Sequence, residues 1–170
     1  MSLSAYRRVV PDVILPALDE AAAIPSVLAG LPEGYRPSVV DNGSTDDTAA
    51  VASACGALVV HEPQRGFGAA CWAGLMASDA DIVCFMDCDG SFAGSDLAAV
   101  VGPVADGSAD LVMGARQATS GAWPVHARIA NRFLASLISR RTGVLVHDLG
   151  PMRATKRVDL VGLGMTDRGF

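Results

Sequence analysis

Hydrophobic positions along this chain alternate between two rhythms. Short, mostly apolar runs recur at DVILPA (12–17), PSVVD (37–41), ALVVHE (57–62), DIVCFM (81–86) and ADLVMGAR (109–116). Each is too short for a stable helix and runs into polar or turn-forming residues, which predicts buried strands. Between the first two runs the spacing changes: Ile24, Val27, Leu28 and Leu31 share one helical face, and Pro25 lies where only a first turn tolerates proline. GSTDDTAAVASACG predicts a second helix with Ser44 or Thr45 as N-cap and Gly56 as its stop. RGFGAACWAGLMAS predicts a loop and a third helix, and SDLAAVVGPVADG a fourth, capped by Ser95 and closed by Gly107. A basic helical segment from about His126 to Arg141 leads through Gly143 to VLVHD. Strands alternating with helices predict an α/β fold, a mostly parallel sheet flanked by helices on both faces.

In such sheets ligands bind beyond the carboxyl ends of the strands. The polar exceptions gather there. Asp19 and Glu20 follow the first run, Asp41 and Asn42 the second, Arg65 the third, Asp87 and Asp89 the fourth, and Arg116 the fifth.

Composition narrows the class. At 170 residues, half of them apolar, the chain suits a single domain spanning 1–170. The net charge of −5 and the scattered basic residues argue against a nucleic-acid surface. Cys55, Cys71, Cys84 and Cys88 form no CxxC pair, so free thiols in a reducing compartment are expected rather than a structural zinc. The first ten residues lack the apolar core of a signal peptide, and no run of ~20 apolar residues predicts a membrane span. The expectation is a cytoplasmic protein, with peripheral contact at the inner face of the membrane and homodimer formation left open.

Four constellations bear on chemistry. Asp87 and Asp89 stand at i, i+2, so in extended chain they point the same way and can share a hard cation such as Mg²⁺ or Mn²⁺; DCDG is also good turn sequence. In VVDNGSTDDT, Asp41 can accept hydrogen bonds from a base or ribose, while Ser44 to Asp47 read as caps and turn-formers. RGFGAA opens a helix whose N-terminus favours phosphate, but it lacks the third glycine of a dinucleotide fingerprint. In ARIANRFLASLISRRTG, Arg128 and Arg132 lie one turn apart and can face an anion together, against the plainer reading of solvated surface arginines. Trp72 and Trp123 read as packing residues.

In order along the chain, VILPALDE, VVDNGSTDDT, RGFGAACWAGL, DIVCFMDCDGSF, ADLVMGAR and HDLGPMRA resemble family 2 glycosyltransferases. Dolichyl- and polyprenyl-phosphate sugar transferases, such as the dolichyl-phosphate mannose synthases, and their bacterial relatives are the most similar branch. The resemblance implies a GT-A, Rossmann-like fold, a UDP- or GDP-linked sugar donor, a divalent metal and transfer with inversion. Position by position, it places Pro16, Leu18 and Glu20 along the base and ribose pocket and assigns Asp41 to the base. It sets Arg65 near that pocket and gives metal and diphosphate to Asp87 and Asp89. Arg116 falls on the arginine after the fifth strand, Arg128 or Arg132 meets an acceptor phosphate such as that of a polyprenyl phosphate, and Asp148 takes the acidic position before LGPMRA. Asp89, Asp148 and Arg116 are then the catalytic candidates, with Asp148 the base if the acceptor is a hydroxyl.

Two departures are visible. Asn42 stands where many members have a second aspartate, and the chain stops at GMTDRGF where relatives continue, so a naturally short or truncated domain is expected. Two other classes compete. A nucleotidyltransferase acting on sugar phosphates also uses a strand-end aspartate, but PALDEAAAI lacks the glycine and lysine of its phosphate loop. A non-catalytic nucleotide-sugar-binding fragment is the other.

Overall fold

The computed structural model describes residues 10–115, 125–146, 148–167 and 169, with the side chains of residues 125–130 and 132 outside that description. Six strands form one sheet: β1 (Asp12–Ala17), β2 (Arg36–Asp41), β3 (Leu58–His61), β4 (Ile82–Phe85), β5 (Leu111–Met113) and β6 (Arg153–Lys156). Their order is β3-β2-β1-β4-β6-β5. The first four run parallel, with Ala17 beside Asp41 and Asp41 beside His61 at their carboxyl ends. The helices are α1 (Ile24–Ala29), α2 (Thr48–Ala54), α3 (Phe67–Ala77), α4 (Leu97–Ala105), α5 (Val125–Thr142) and α6 (Arg157–Gly162).

Side chains that alternate along a strand serve opposite faces, so a strand buried on both faces reads as a continuous apolar run. Val13, Leu15, Val39, Cys84 and Met86 pack with Ile24, Val27, Ala52, Leu97 and Val104 on the face covered by α1, α2 and α4. Ile14, Val40 and Val83 pack with Ala70 and Leu75 of α3 on the other. The predicted α1 stripe holds: Ile24 and Val27 are buried, and Leu28 and Leu31 pack at the core's edge. Asp12, the polar start of β1, is buried but paired, accepting from Arg36 Nε at 2.6 Å and from Ser78 Oγ at 2.6 Å. A cavity of about 350 Å³ opens at this amino-end rim, between Asp79, Val104 and Arg157.

α3 lies unusually close to the sheet because residue 74 has no side chain. A Cβ there would fall 2.4 Å from Ile14 Cγ2 and 2.9 Å from Val40 Cγ2. Alanine should gain about 1 kcal/mol of helix propensity, but the overpacking costs roughly 1–3 kcal/mol. Gly74→Ala is therefore expected to lower the urea midpoint without changing the slope of the transition. A stabilised variant would show that α3 can retreat freely.

The structure departs from the sequence reading in three places. β6, RATK, sits antiparallel between β4 and β5, pairing Ile82 with Lys156 and Val112 with Ala154. Its only apolar residue is Ala154, so no hydrophobic run marks it; its partners on both sides define it. VLVHD forms no strand over its described residues 144–146 and 148. Neither predicted side-chain cap forms: α2 begins at Thr48 and α4 at Leu97, after a 3-10 turn at Gly94–Asp96.

Candidate active site

Parallel strands deliver all their carboxyl ends to one rim, and β6, running the other way, delivers the residues that precede it. Topology alone thus brings Pro16, Leu18 and Glu20, then Asp41, Arg65, Asp87 and Asp89, to the same edge as Asp148. Pro16 is half-buried and Leu18 exposed. Arg116, with Trp123, lies outside the described residues, as do the side chains of Arg128 and Arg132 on α5. Trp72 is partly buried against the α3 face of the sheet, as a packing residue should be.

The acidic centre of the rim surrounds Cys88. Burial pushes this thiol up to about 12, and the negative charges of Glu20, Asp89 and Asp87 push in the same direction. Asp87 and Asp89 flank the thiol in sequence, and Glu20, just after β1, adds its charge to theirs. Glu20 is itself held above the usual carboxylate range, first by burial and then by Asp89, Asp46 and Asp19. One Asp89 oxygen accepts the Ser91 N–H at 2.9 Å, which fixes the turn after β4.

This donor set fits a hard divalent cation that shares its shell with a ligand. The oxygens are carboxylates, and no group of three or more His, Cys, Asp or Glu side chains able to enclose an ion occurs among the described residues. One or two carboxylates completed by substrate phosphates is the usual arrangement for Mg²⁺ and its relatives. The crowding also makes a stability prediction. A carboxyl whose pKa is raised by folding costs stability above that raised value and nothing below its unfolded value. Glu20→Gln should raise the melting temperature of the ligand-free protein at pH 7, with the gain vanishing below about pH 4. A gain that persists in acid would show that charge is not its origin.

Two loops frame this centre and are laced together. The Asp19 N–H donates to Ser44 Oγ at 3.0 Å, and Asp19 Oδ1 accepts from the Thr45 N–H at 2.6 Å and the Asp46 N–H at 3.3 Å. The Glu20 N–H donates to Thr48 Oγ1 at 2.8 Å, and the Ala21 N–H to Asp46 Oδ2 at 3.1 Å. Asp19 has a left-handed backbone, φ 58°, a conformation that costs free energy in a non-glycine residue and is held here by these bonds. Ser44 and Thr45, expected as N-caps, are spent on this seam; Asp46 Oδ1 accepts the Thr48 N–H instead, at 2.9 Å.

Asp41 ends β2 facing two partners. Its Oδ1 accepts the Ser44 N–H at 2.9 Å and its Oδ2 meets His61 Nδ1 at 3.2 Å. Burial alone would raise its pKa, but the hydrogen bonds from Ser44 and His61 together bring it below the ordinary value. The group is a carboxylate at neutral pH, an acceptor suited to a base N–H. His61 was not anticipated; its signal was its place at the end of the third apolar run.

Beyond β3, at the end of the rim away from β4, Arg65 Nη2 donates to the Gly43 carbonyl at 2.8 Å. The N-terminus of α3, read as a phosphate site, is already engaged: the Gly66 N–H donates to Asn42 Oδ1 at 2.8 Å and the Gly68 N–H to the Gly169 carbonyl at 2.8 Å. Asp148 is placed by α5, where Asn131 donates Nδ2 to its Oδ1 at 2.6 Å and accepts the Leu149 N–H at 3.3 Å. The segment packs flat on the β5 exit: the Gly114 N–H donates to the Met152 carbonyl at 2.9 Å. A Cβ on Gly150 would fall 1.8 Å from the Gly114 oxygen.

The family model described as glycosyl transferase family 2 matches residues 12–161. An uncharacterized glycosyltransferase of Mycobacterium tuberculosis is 45% identical over 157 residues, 92% of this chain and 72% of the relative. A dolichyl-phosphate hexose transferase of Haloferax volcanii is 34% identical over 151 residues, 85% of this chain and 65% of that protein. Among solved structures, glucosyl-3-phosphoglycerate synthase of Mycobacterium tuberculosis with Mn²⁺, UDP and glucosyl-3-phosphoglycerate superposes with a TM-score of 0.68 at 30% identity. That match covers 89% of this chain and 58% of the synthase, so the chain spans little more than half of that relative. With a mixed six-stranded sheet, strand-end carboxylates and a family match over nearly all its length, the chain belongs to glycosyl transferase family 2 and has its GT-A fold.

Proposed function

We propose that this chain binds a nucleotide-sugar donor at the rim of the sheet and transfers its sugar, with inversion, to an anionic acceptor. The observation that carries the reading is that β1 and β4, paired side by side, end at one rim with Glu20, Asp87 and Asp89 beyond them. Such crowding is unfavourable unless positive charge joins it. The solved synthase holds Mn²⁺ together with UDP, which supports a UDP-linked donor here.

In this reading Asp41, kept ionised by Ser44 and His61, accepts from the base. Pro16, Leu18 and Glu20 line the ribose side, and Arg65 supplies positive charge to the donor. Asp87 and Asp89 would hold a divalent ion, Mg²⁺ or Mn²⁺, which when bound offsets charge on the departing nucleoside diphosphate. Asp148, held by Asn131, lies at the same rim on a different part of the chain, where an acceptor enters. If the acceptor is a phosphate, its oxygen already carries the negative charge that attack needs, and the task left to Arg116, Arg128 and Arg132 is to orient it. If it is a hydroxyl, Asp148 takes the proton.

A polyprenyl phosphate acceptor, as the dolichyl-phosphate relative suggests, has further support in the chain. Residues 111–147 contain five arginines and no acidic residue, whereas the remainder carries eight basic residues against eighteen acidic ones. On α5 and just after it, Phe133, Leu134, Leu137, Val144 and Leu145 are exposed. An apolar strip beside concentrated positive charge suits an anionic lipid surface, and no helix among the described residues is long and apolar enough to cross a membrane. Leu134→Glu/Leu137→Glu is expected to abolish cosedimentation with phosphatidylglycerol vesicles.

The deciding experiment is a nucleotide-sugar panel with and without Mn²⁺, offered polyprenyl phosphate or 3-phosphoglycerate as acceptor. Metal-dependent transfer to the lipid is expected. Transfer to 3-phosphoglycerate alone would replace the lipid, and metal-independent binding of every donor would remove the mechanism.

A further inference from the structure

We infer that Asn42 is a positioning residue for Arg65: it holds the arginine over the β2–β3 end of the rim beside Asp41, at the base side of the donor, and only an amide can do so. The inference rests on the donor-binding reading above. Asn42 follows Asp41 at the end of β2 and is buried, 7% exposed. It makes no contact suited to reading a base. Instead its Nδ2 donates both hydrogens to the next loop, to the Glu62 carbonyl at 2.9 Å and the Gln64 carbonyl at 2.8 Å. Its Oδ1 accepts the Gly66 N–H at 2.8 Å.

These three bonds clasp residues 62–66 at both ends, and Arg65 lies inside the clasp. The arginine then folds back over Gly43, the residue after Asn42, donating to its carbonyl. A Cβ on Gly43 would come within 3.6 Å of Arg65 Nε, so the guanidinium rests directly on that backbone. Arg65 itself is exposed. Among the described residues, this clasp and the Gly43 carbonyl are what orient a long cation whose rotamer entropy is otherwise unspent. An asparagine supplies two donors and an acceptor at once. A carboxylate of the same shape supplies acceptors only and would face two carbonyl oxygens at under 3 Å, leaving buried acceptors opposed. The asparagine that stands where many members have a second aspartate thus supports the loop after β3.

The test is a double-variant cycle of Asn42→Asp and Arg65→Ala, read as the Kd of UDP in Mn²⁺ and of uridine alone. Asn42→Asp is expected to weaken UDP and uridine alike, by about tenfold, the scale of one charge-assisted contact. Arg65→Ala should show the same parallel loss, and the double variant should be no weaker than Arg65→Ala. Asn42→Ser, which keeps a small polar side chain without the paired donors, gives the same result should Asn42→Asp fail to fold by circular dichroism. Additive losses, a loss confined to UDP with uridine unchanged, or full UDP affinity in the folded variants would overturn the inference alone. No UDP binding by the wild-type protein would overturn the donor-binding reading and this inference with it.

Discussion

Replacing Asp89 with alanine is expected to remove Mn²⁺-dependent UDP binding and to lower sugar transfer by roughly a thousandfold or more. The magnitude follows from what the carboxylate is asked to do. Neutralising charge on a departing diphosphate contributes several kcal/mol, and each 1.4 kcal/mol is a factor of ten in rate. The fold should not suffer. Asp89 is exposed, its hydrogen bond to Ser91 lies in a surface turn, and its charge bears unfavourably on Glu20. The variant should therefore melt at or above the temperature of the parent without ligand, and gain nothing from Mn²⁺ and UDP together. Calorimetric titration and thermal melting with each ligand separate these effects. Binding that still requires metal after the substitution would place the ion elsewhere.

Gly150→Ala is expected to reach the site by a different route. The new methyl would be directed at a carbonyl oxygen less than 2 Å away, and that oxygen belongs to the backbone of Gly114 rather than to a side chain that can turn aside. One of the two segments must move. The cost to stability is about 1–3 kcal/mol, well short of unfolding a domain most of whose core is on β1, β2, β4 and the helices that cover them. The cost to function is larger in proportion. Asp148 stands two residues away, held by Asn131, and a displacement near 1 Å at a reacting group can lower turnover about a hundredfold. UDP affinity should be unchanged because Asp41, Arg65 and Asp89 are in the other half of the site. Loss of donor affinity in the variant would mean the two halves are mechanically joined.

Much of this could be read from the chain before its fold. DVILPA, SVVD and IVCF are buried on both faces, and such strands announce themselves as apolar runs; LVVH, at the sheet edge, is only half-buried but is marked by its apolar run as well. The rim residues followed, because parallel strands must end on one edge. What escaped is what depends on partners distant in sequence. Ser44 and Thr45 have the chemistry of caps, but Asp19, 25 or more residues away, competes for them and wins. RATK is a strand only because β4 and β5 flank it. Asn42 shows the same limit: its identity was legible, but not the loop it grips. Asp148 was legible through family resemblance alone, since no apolar pattern indicates that a reversed strand carries it to the edge.

That reversed strand divides responsibility along the gene. Glu20 through Asp89, the donor half of the proposed site, is contributed by one unbroken run of parallel strands, while Asp148 is brought in by a later block entering from the opposite direction. A lineage could exchange the later block and change what receives the sugar, while the nucleotide-reading block stays as it is.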